Sequence, residues 1–178
     1  MRVKDLQKDE LQFFYGTYLK TLDDHEDVMS ALLKGRKSFE DLVHSLTDEQ
    51  FLYSYGDGKW TVAEVLVHLI DTERVFQYRA FRISRNDKTP LPGFDHNQIV
   101  PESNANRRTK EDILKEYLSV REASISLFET IQNDHLKRIG TASGIPWSVA
   151  ALGLVISGHQ KHHENILEER YFNYSSSS

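Results

Sequence analysis

The chain has no cysteine among its 178 residues. That excludes disulfides, thiolate metal ligands and cysteine nucleophiles, and leaves imidazole and carboxylate as the strong ligands for any metal ion. It has no excess of positive charge either. Its 22 Lys and Arg against 27 Asp and Glu give a formal net charge of −5, the opposite of the basic surface expected for nucleic-acid binding. No apolar run reaches the ~20 residues of a membrane span, and Met1-Arg2-Val3-Lys4-Asp5 contains no apolar signal core. The expectation is a cytoplasmic protein with neither membrane nor nucleic acid as partner. Proline is scarce, and three of the four fall in one stretch as Pro90, Pro92 and Pro101. With Gly93 and several Asn residues they mark a long loop between periodic segments, a place where function often resides.

What the chain does have is helical periodicity over the length of one ordinary domain, residues 1–178, with Ser175 to Ser178 as a disordered tail. An aromatic, partly helical segment runs from Phe13 and Phe14 through Tyr15 and Tyr18 to Leu22. A longer helix is expected from about Glu26 to Leu46, and Gly56-Asp57-Gly58 breaks the chain after a short turn. The next helix has a clear start: Thr61 as N-cap, Glu64 three residues on, and Trp60 with Val65 as a hydrophobic staple. It runs to about Ser84. A third begins at Thr109, with apolar positions from Ile113 to Ile131. Thr141 to Pro146 reads as a second break, after which Trp147-Ser148-Val149-Ala150 starts a final helix reaching about Tyr171. No segment alternates with a strand period, so the fold class is all-α, a four-helix bundle.

Histidine placement is the most informative chemical feature. Val149, Leu152, Val155, Ile156, Ile166 and Leu167 form one apolar stripe of the last helix, and His159 and His163 lie inside it, one turn apart. His162 lies at its edge. On the second helix His68 sits on the flank of the apolar stripe, with Thr72 and Arg79. Burying imidazole without a partner is costly. A three-histidine metal site inside the bundle accounts for the arrangement. Packed, hydrogen-bonded core histidines account equally for the pair, and are the simpler reading for His68 taken alone. His25, His44 and His135 read as surface residues, and His96 lies in the Pro/Gly loop.

Two charged residues fall on apolar stripes, Glu73 and Arg121. Buried charges are normally paired, so a structural ion pair is the first reading. In the alternative, Glu73 accepts a hydrogen bond from an imidazole. Glu73 and His162 are the candidates for a general base. Arg79 and His96 are the candidates for substrate contact, Arg79 through an anionic group or, equally, as a side chain that snorkels to solvent.

The segments Lys59 to Ala80 (KWTVAEVLVHLIDTERVFQYRA), Leu91 to Asp95 (LPGFD), Val120-Arg121 and Gly158 to Tyr171 (GHQKHHENILEERY) resemble, in order, the DinB/YfiT-like superfamily of metal-dependent helix-bundle proteins. The resemblance implies a four-helix bundle, a homodimer, and a divalent metal held by His68, His159 and His163, with His162 as the extra histidine often found beside the last ligand. Zn or Ni would be the expected ion, with Fe or Mn as alternatives. It further implies a small-molecule substrate and a metal-dependent transferase or hydrolase. In this reading the ion activates water or a low-molecular-weight thiol, as in the thiol-dependent S-transferases and the isomerase of that superfamily. Two alternatives are a non-catalytic, stress-related metal-binding protein and a metal-free bundle.

Overall fold

The computed structural model describes residues 1–7, 10 and 15–172. The expected pattern at Phe13 and Phe14, and the serine tail, lie outside the described residues.

Four long helices form the frame: α1 (Val28–Ser45), α2 (Val62–Ser84), α3 (Lys110–Glu129) and α4 (Val149–Ile166). Each begins on a side-chain cap. The Asp27 carboxylate accepts from the amides of Met29 and Ser30, Thr109 from Asp112, and Ser148 from Ala151. At α2 the reciprocal box forms: Thr61 Oγ1 accepts from Glu64 N at 3.2 Å, and Thr61 N donates to Glu64 Oε2 at 2.9 Å. These bonds satisfy amides that have no partner within the helix. Beyond Ile166 the last helix continues as a π-helical turn, Leu167–Phe172.

The principal neighbours of α1 are α3 and α4, and those of α2 are also α3 and α4. Helices consecutive in sequence, α1 with α2 and α3 with α4, thus lie across the bundle from each other. Among the described residues three short α-helical turns sit outside the frame: Gly16–Leu19 against α4, Asp48–Phe51 between α1 and α2, and His96–Ile99 within the long loop.

The stretch before α4 departs from the expected break. It forms a hairpin, β1 (Ile139–Ala142) paired antiparallel with β2 (Ile145–Ser148), with Ala142 opposite Ile145. Ser143 and Gly144, at φ +54° and +76°, make the two-residue connection, the positive-φ pair that suits a tight hairpin. Gly140 and Pro146 interrupt the alternation that would have revealed two strands.

The apolar core is divided in two. One cluster contains Leu32, Phe76, Phe128, Trp147 and Leu154, and the other Phe39, Leu66, Ile113, Tyr117 and Leu167. Between them, at mid-height, each helix contributes polar groups: Gly35 and Ser38 of α1, Thr72 and Glu73 of α2, Arg121 and Ser124 of α3, and Ser157 to Glu164 of α4. The histidine cluster and the Glu73–Arg121 network both lie in this layer.

Candidate metal centre

His68 of α2 and His159 and His163 of α4 meet in the polar layer. His159 Nε2 lies 3.1 Å from His68 Nε2 and 3.1 Å from His163 Nε2, and the ligand atoms of all three lie within 4.8 Å of one another. Helical spacing explains the pair on α4; the packing of α2 against α4 supplies the third ring. The rings of His68 and His159 are buried, and His163 is partly exposed.

Hydrogen bonding among the rings alone leaves this geometry incomplete. A neutral imidazole nitrogen carries either one hydrogen or one lone pair. His159 Nε2 faces two others and can make a regular bond with only one. A cation between the three lone pairs satisfies all of them. Zn–N bonds of ~2.0–2.1 Å in tetrahedral coordination set the nitrogens about 3.4 Å apart, close to the spacing observed. The residues present therefore fit a divalent ion.

Electrostatics favour the ligand form. Burial pushes the pKa of His68 down from its ordinary 6.5 to about 3, assisted by charge on His163 and His96. Burial likewise brings His163 to about 4 and holds His159 well below the usual range. All three are neutral at pH 7, with lone pairs free of protons. Thr72 Oγ1 stands 3.4 Å from His68 Nδ1. The Trp60 ring lies against His68, and Tyr18 against both His159 and His162. Tyr18 is brought there by Gly158: a Cβ at that position would stand 2.6 Å from Tyr18 O, so only glycine lets the Gly16–Leu19 turn approach α4 this closely.

The three rings form one wall of a cavity of about 450 Å³. Arg79, His96 and His162, singled out in the sequence, also border it; Glu73 does not. Both Glu73 oxygens are taken: Oε1 accepts from Arg121 Nε and Ser124 Oγ, and Oε2 from Arg121 Nη2, each at 2.8 Å. This is the ion pair expected first, and no imidazole reaches it. Arg79 is buried, so the snorkelling alternative does not hold. His96 is exposed, with its ring 5.4 Å from that of His68. His25 and His44 are exposed, as expected, and His135 is half-buried.

Sequence reasoning passed over Tyr15, Tyr18, Phe94 and Ser143 as cavity residues. The tyrosines read only as part of an aromatic, partly helical segment, and Phe94 was visible only within the LPGFD block. Ser143 had no signal apart from its hairpin turn.

The fold and the cluster define a helix bundle with a three-imidazole site at its waist. The profile of the DinB superfamily matches residues 31–167. The chain belongs to the DinB superfamily. Over 148 residues it is 23% identical to a protein of Oceanobacillus iheyensis named as a candidate metal-dependent hydrolase, covering 80% of this chain and 83% of the relative. Among solved structures it resembles YfiT from Bacillus subtilis, described as a probable metal-dependent hydrolase with an unusual four-helix bundle topology. There the TM-score is 0.66 and the identity 18%, over 93% of this chain and 92% of the other. It also resembles a mycothiol-dependent maleylpyruvate isomerase, with a TM-score of 0.63 and 11% identity, covering 88% of this chain but only 62% of that one.

Proposed function

We propose that the protein is a metal-dependent enzyme in which His68, His159 and His163 hold one divalent ion, Zn or Ni before Fe or Mn. Its reaction is the transfer of a low-molecular-weight thiol or the hydrolysis of a small molecule. The observation that carries this reading is the convergence of three neutral imidazole nitrogens on the wall of an open cavity. The names of the superfamily relatives, hydrolase and thiol-dependent isomerase, point the same way.

Three neutral ligands leave the charge of a bound ion uncompensated, which is what lowers the pKa of a coordinated water or thiol toward neutrality. The chain's own residues do the rest. Among the described residues no fourth histidine, Asp or Glu joins the cluster, so the side facing the cavity is left to solvent or substrate. This favours an enzyme over a closed, non-catalytic metal store. Trp60, Tyr18 and Phe94 line the cavity with apolar surface and limit the water around a bound substrate. His162, half-buried and on the cavity wall, is the candidate to take or give a proton; burial lowers its pKa, so it is neutral at pH 7 and able to accept one. His96 is the candidate for substrate contact at the mouth. Along with a homodimeric state and a single domain over the whole chain, these roles are proposals.

The test pairs elemental analysis of the purified protein with activity assays. About one divalent ion per chain is expected, with conjugation of a low-molecular-weight thiol to an electrophile, or hydrolysis of an ester or amide, that ceases on chelation and returns with metal. Metal at that stoichiometry with neither activity would support the non-catalytic reading. Absence of metal would leave the metal-free bundle.

A further inference from the structure

Arg79 is a buried cation with no acidic partner among the described residues. It is 2% exposed, and no carboxylate among the described residues lies within ion-pair distance of it. Its Nη2 donates to the carbonyl of Pro92 at 2.9 Å and to Ser143 Oγ at 2.8 Å. These two bonds fix the plane of the guanidinium, while Nε and Nη1 have no acceptor among the described residues. The rings of Phe76 and Phe94 lie 5.7 and 6.0 Å from its centre. Burial lowers its pKa, the sign of a charge held without compensation.

The fixing groups come from outside the bundle. The loop and the hairpin are tied together by Leu91 N to Thr141 O at 2.9 Å and Ser143 N to Leu91 O at 3.0 Å. That pairing sets the Pro92 carbonyl and the Ser143 hydroxyl beside the same nitrogen. Arg79 also shares a helix face with His68. They are eleven residues apart, a separation of about 16 Å along the axis and ~20° around it. Side chains on a helix lean toward its N-terminus, so Arg79 reaches back along the cavity toward the imidazoles. Among the described residues lining the cavity Arg79 is the only Lys or Arg, and there is no Asp or Glu.

We infer that Arg79 is the anchor for a carboxylate on the substrate, so that the site takes a small monoanionic acid with an apolar middle, its carboxylate on the guanidinium and its reacting group at the histidines. Only the location of the reacting end rests on the metal-site reading. A single cation in an aromatic-lined cavity matches a monoanion better than a phosphate dianion. The N–H groups left open are donors of fixed direction, which is how Arg recognises a planar carboxylate.

The test titrates the purified whole chain by calorimetry with 5-phenylpentanoate and with 5-phenylpentanamide, its uncharged counterpart, with metal content measured on the same samples. The carboxylate is expected to bind tighter by about tenfold or more, the contribution of a charge-assisted hydrogen bond. The preference should persist in His68→Ala, fall to about twofold or less in Arg79→Gln, and be reduced but present in Arg79→Lys, which keeps the charge and loses the fork. Equal binding of the two probes by the unaltered chain, or no binding of either, overturns the inference. So does a preference that survives in Arg79→Gln, is undiminished in Arg79→Lys, or vanishes in His68→Ala. The lysine variant carries the test if the glutamine variant does not fold. A chain with no metal that keeps the preference would overturn the metal site and leave this inference standing.

Discussion

Two polar assemblies lie within the molecule, and they are built to opposite rules. On one side, Glu73 and Arg121 are enclosed with Gln160, Ser124, Tyr117 and the carbonyls of Leu32 and Gly35. Four of the five N–H groups of Arg121 have acceptors, and Gln160 is bonded through both its oxygen and its nitrogen. On the other side, His159 Nε2 faces two equivalent nitrogens, and Arg79 has acceptors among the described residues for two of its five N–H groups. The same helices serve both: α2 carries Glu73 between His68 and Arg79, and α4 carries Gln160 next to His159. A saturated network holds helices together; a network with valences left over, opening onto a cavity, is arranged to hold something else. The expected consequence is that damage to the first is read in stability and damage to the second in binding.

The largest effect should come from the saturated side. Glu73→Ala leaves the Arg121 guanidinium buried without its counter-ion, and breaking such a pair costs about 3–5 kcal/mol. Urea denaturation should show that loss, while the metal content of the remaining folded protein stays at the unaltered level. Loss of metal with little change in stability would place Glu73 with the histidines after all. Replacing both partners, Glu73→Leu with Arg121→Met, should recover much of the stability, because no lone charge remains.

The next effect belongs to the open side. His68→Ala removes one of the three nitrogens, and metal affinity should fall by more than the ~100-fold typical of losing an outer partner of a ligand. Thermal unfolding of the chelated protein should change much less than in Glu73→Ala. Unaltered metal stoichiometry would remove His68 from the site.

How far this division was legible in the sequence depends on what each signal needs. The helices and their starts were readable because a cap and a stripe are local: Thr61 with Glu64 declares α2 within four residues. His159 and His163 were readable as a couple because one turn of helix places them together. Joining His68 to them required knowing that α2 packs on α4, which only the family resemblance supplied. Glu73 and Arg121 announced themselves as charges on apolar stripes, and the bonds of each were then a matter of proximity. Ser143 and the Pro92 carbonyl were not legible. They act through a hairpin whose strands are four residues long and interrupted by Gly140 and Pro146, and they meet Arg79 only in three dimensions.

Acid should also separate the two sides. In the folded protein burial holds His68 at about 3 and His163 at about 4, whereas in the unfolded chain both titrate near 6.5. Below that value the unfolded chain binds more protons, so the stability of chelated protein should fall as pH drops from about 6.5 and level off only near 3–4. The slope is up to about 1.4 kcal/mol per pH unit for each histidine. The stability conferred by these neutral rings is fully present above pH 6.5. A variant with His68 and His163 both replaced by Ala should lose most of this slope between pH 6.5 and 5, measured by denaturant midpoints. An unchanged slope would show that the cluster does not dominate the acid response.

The smallest effect tests whether the open side extends beyond its three nitrogens. Thr72 Oγ1 stands 3.4 Å from His68 Nδ1, long for a hydrogen bond between these atoms, yet it is the polar side-chain atom placed to orient that ring. Thr72→Val keeps the shape and removes the hydroxyl. Stability should then change by less than about 1 kcal/mol, since one weak bond is lost from a buried position. If the hydroxyl sets the tautomer, Nδ1 is held and Nε2 is kept free for the ion, and metal affinity should fall by about tenfold, the lower end for an outer partner of a ligand. Competition with a chelator of known affinity measures it. An affinity unchanged by Thr72→Val, with the fold intact, would mean that the His68 ring is oriented by packing against Trp60 alone, and the boundary of the site would then lie at the imidazoles themselves.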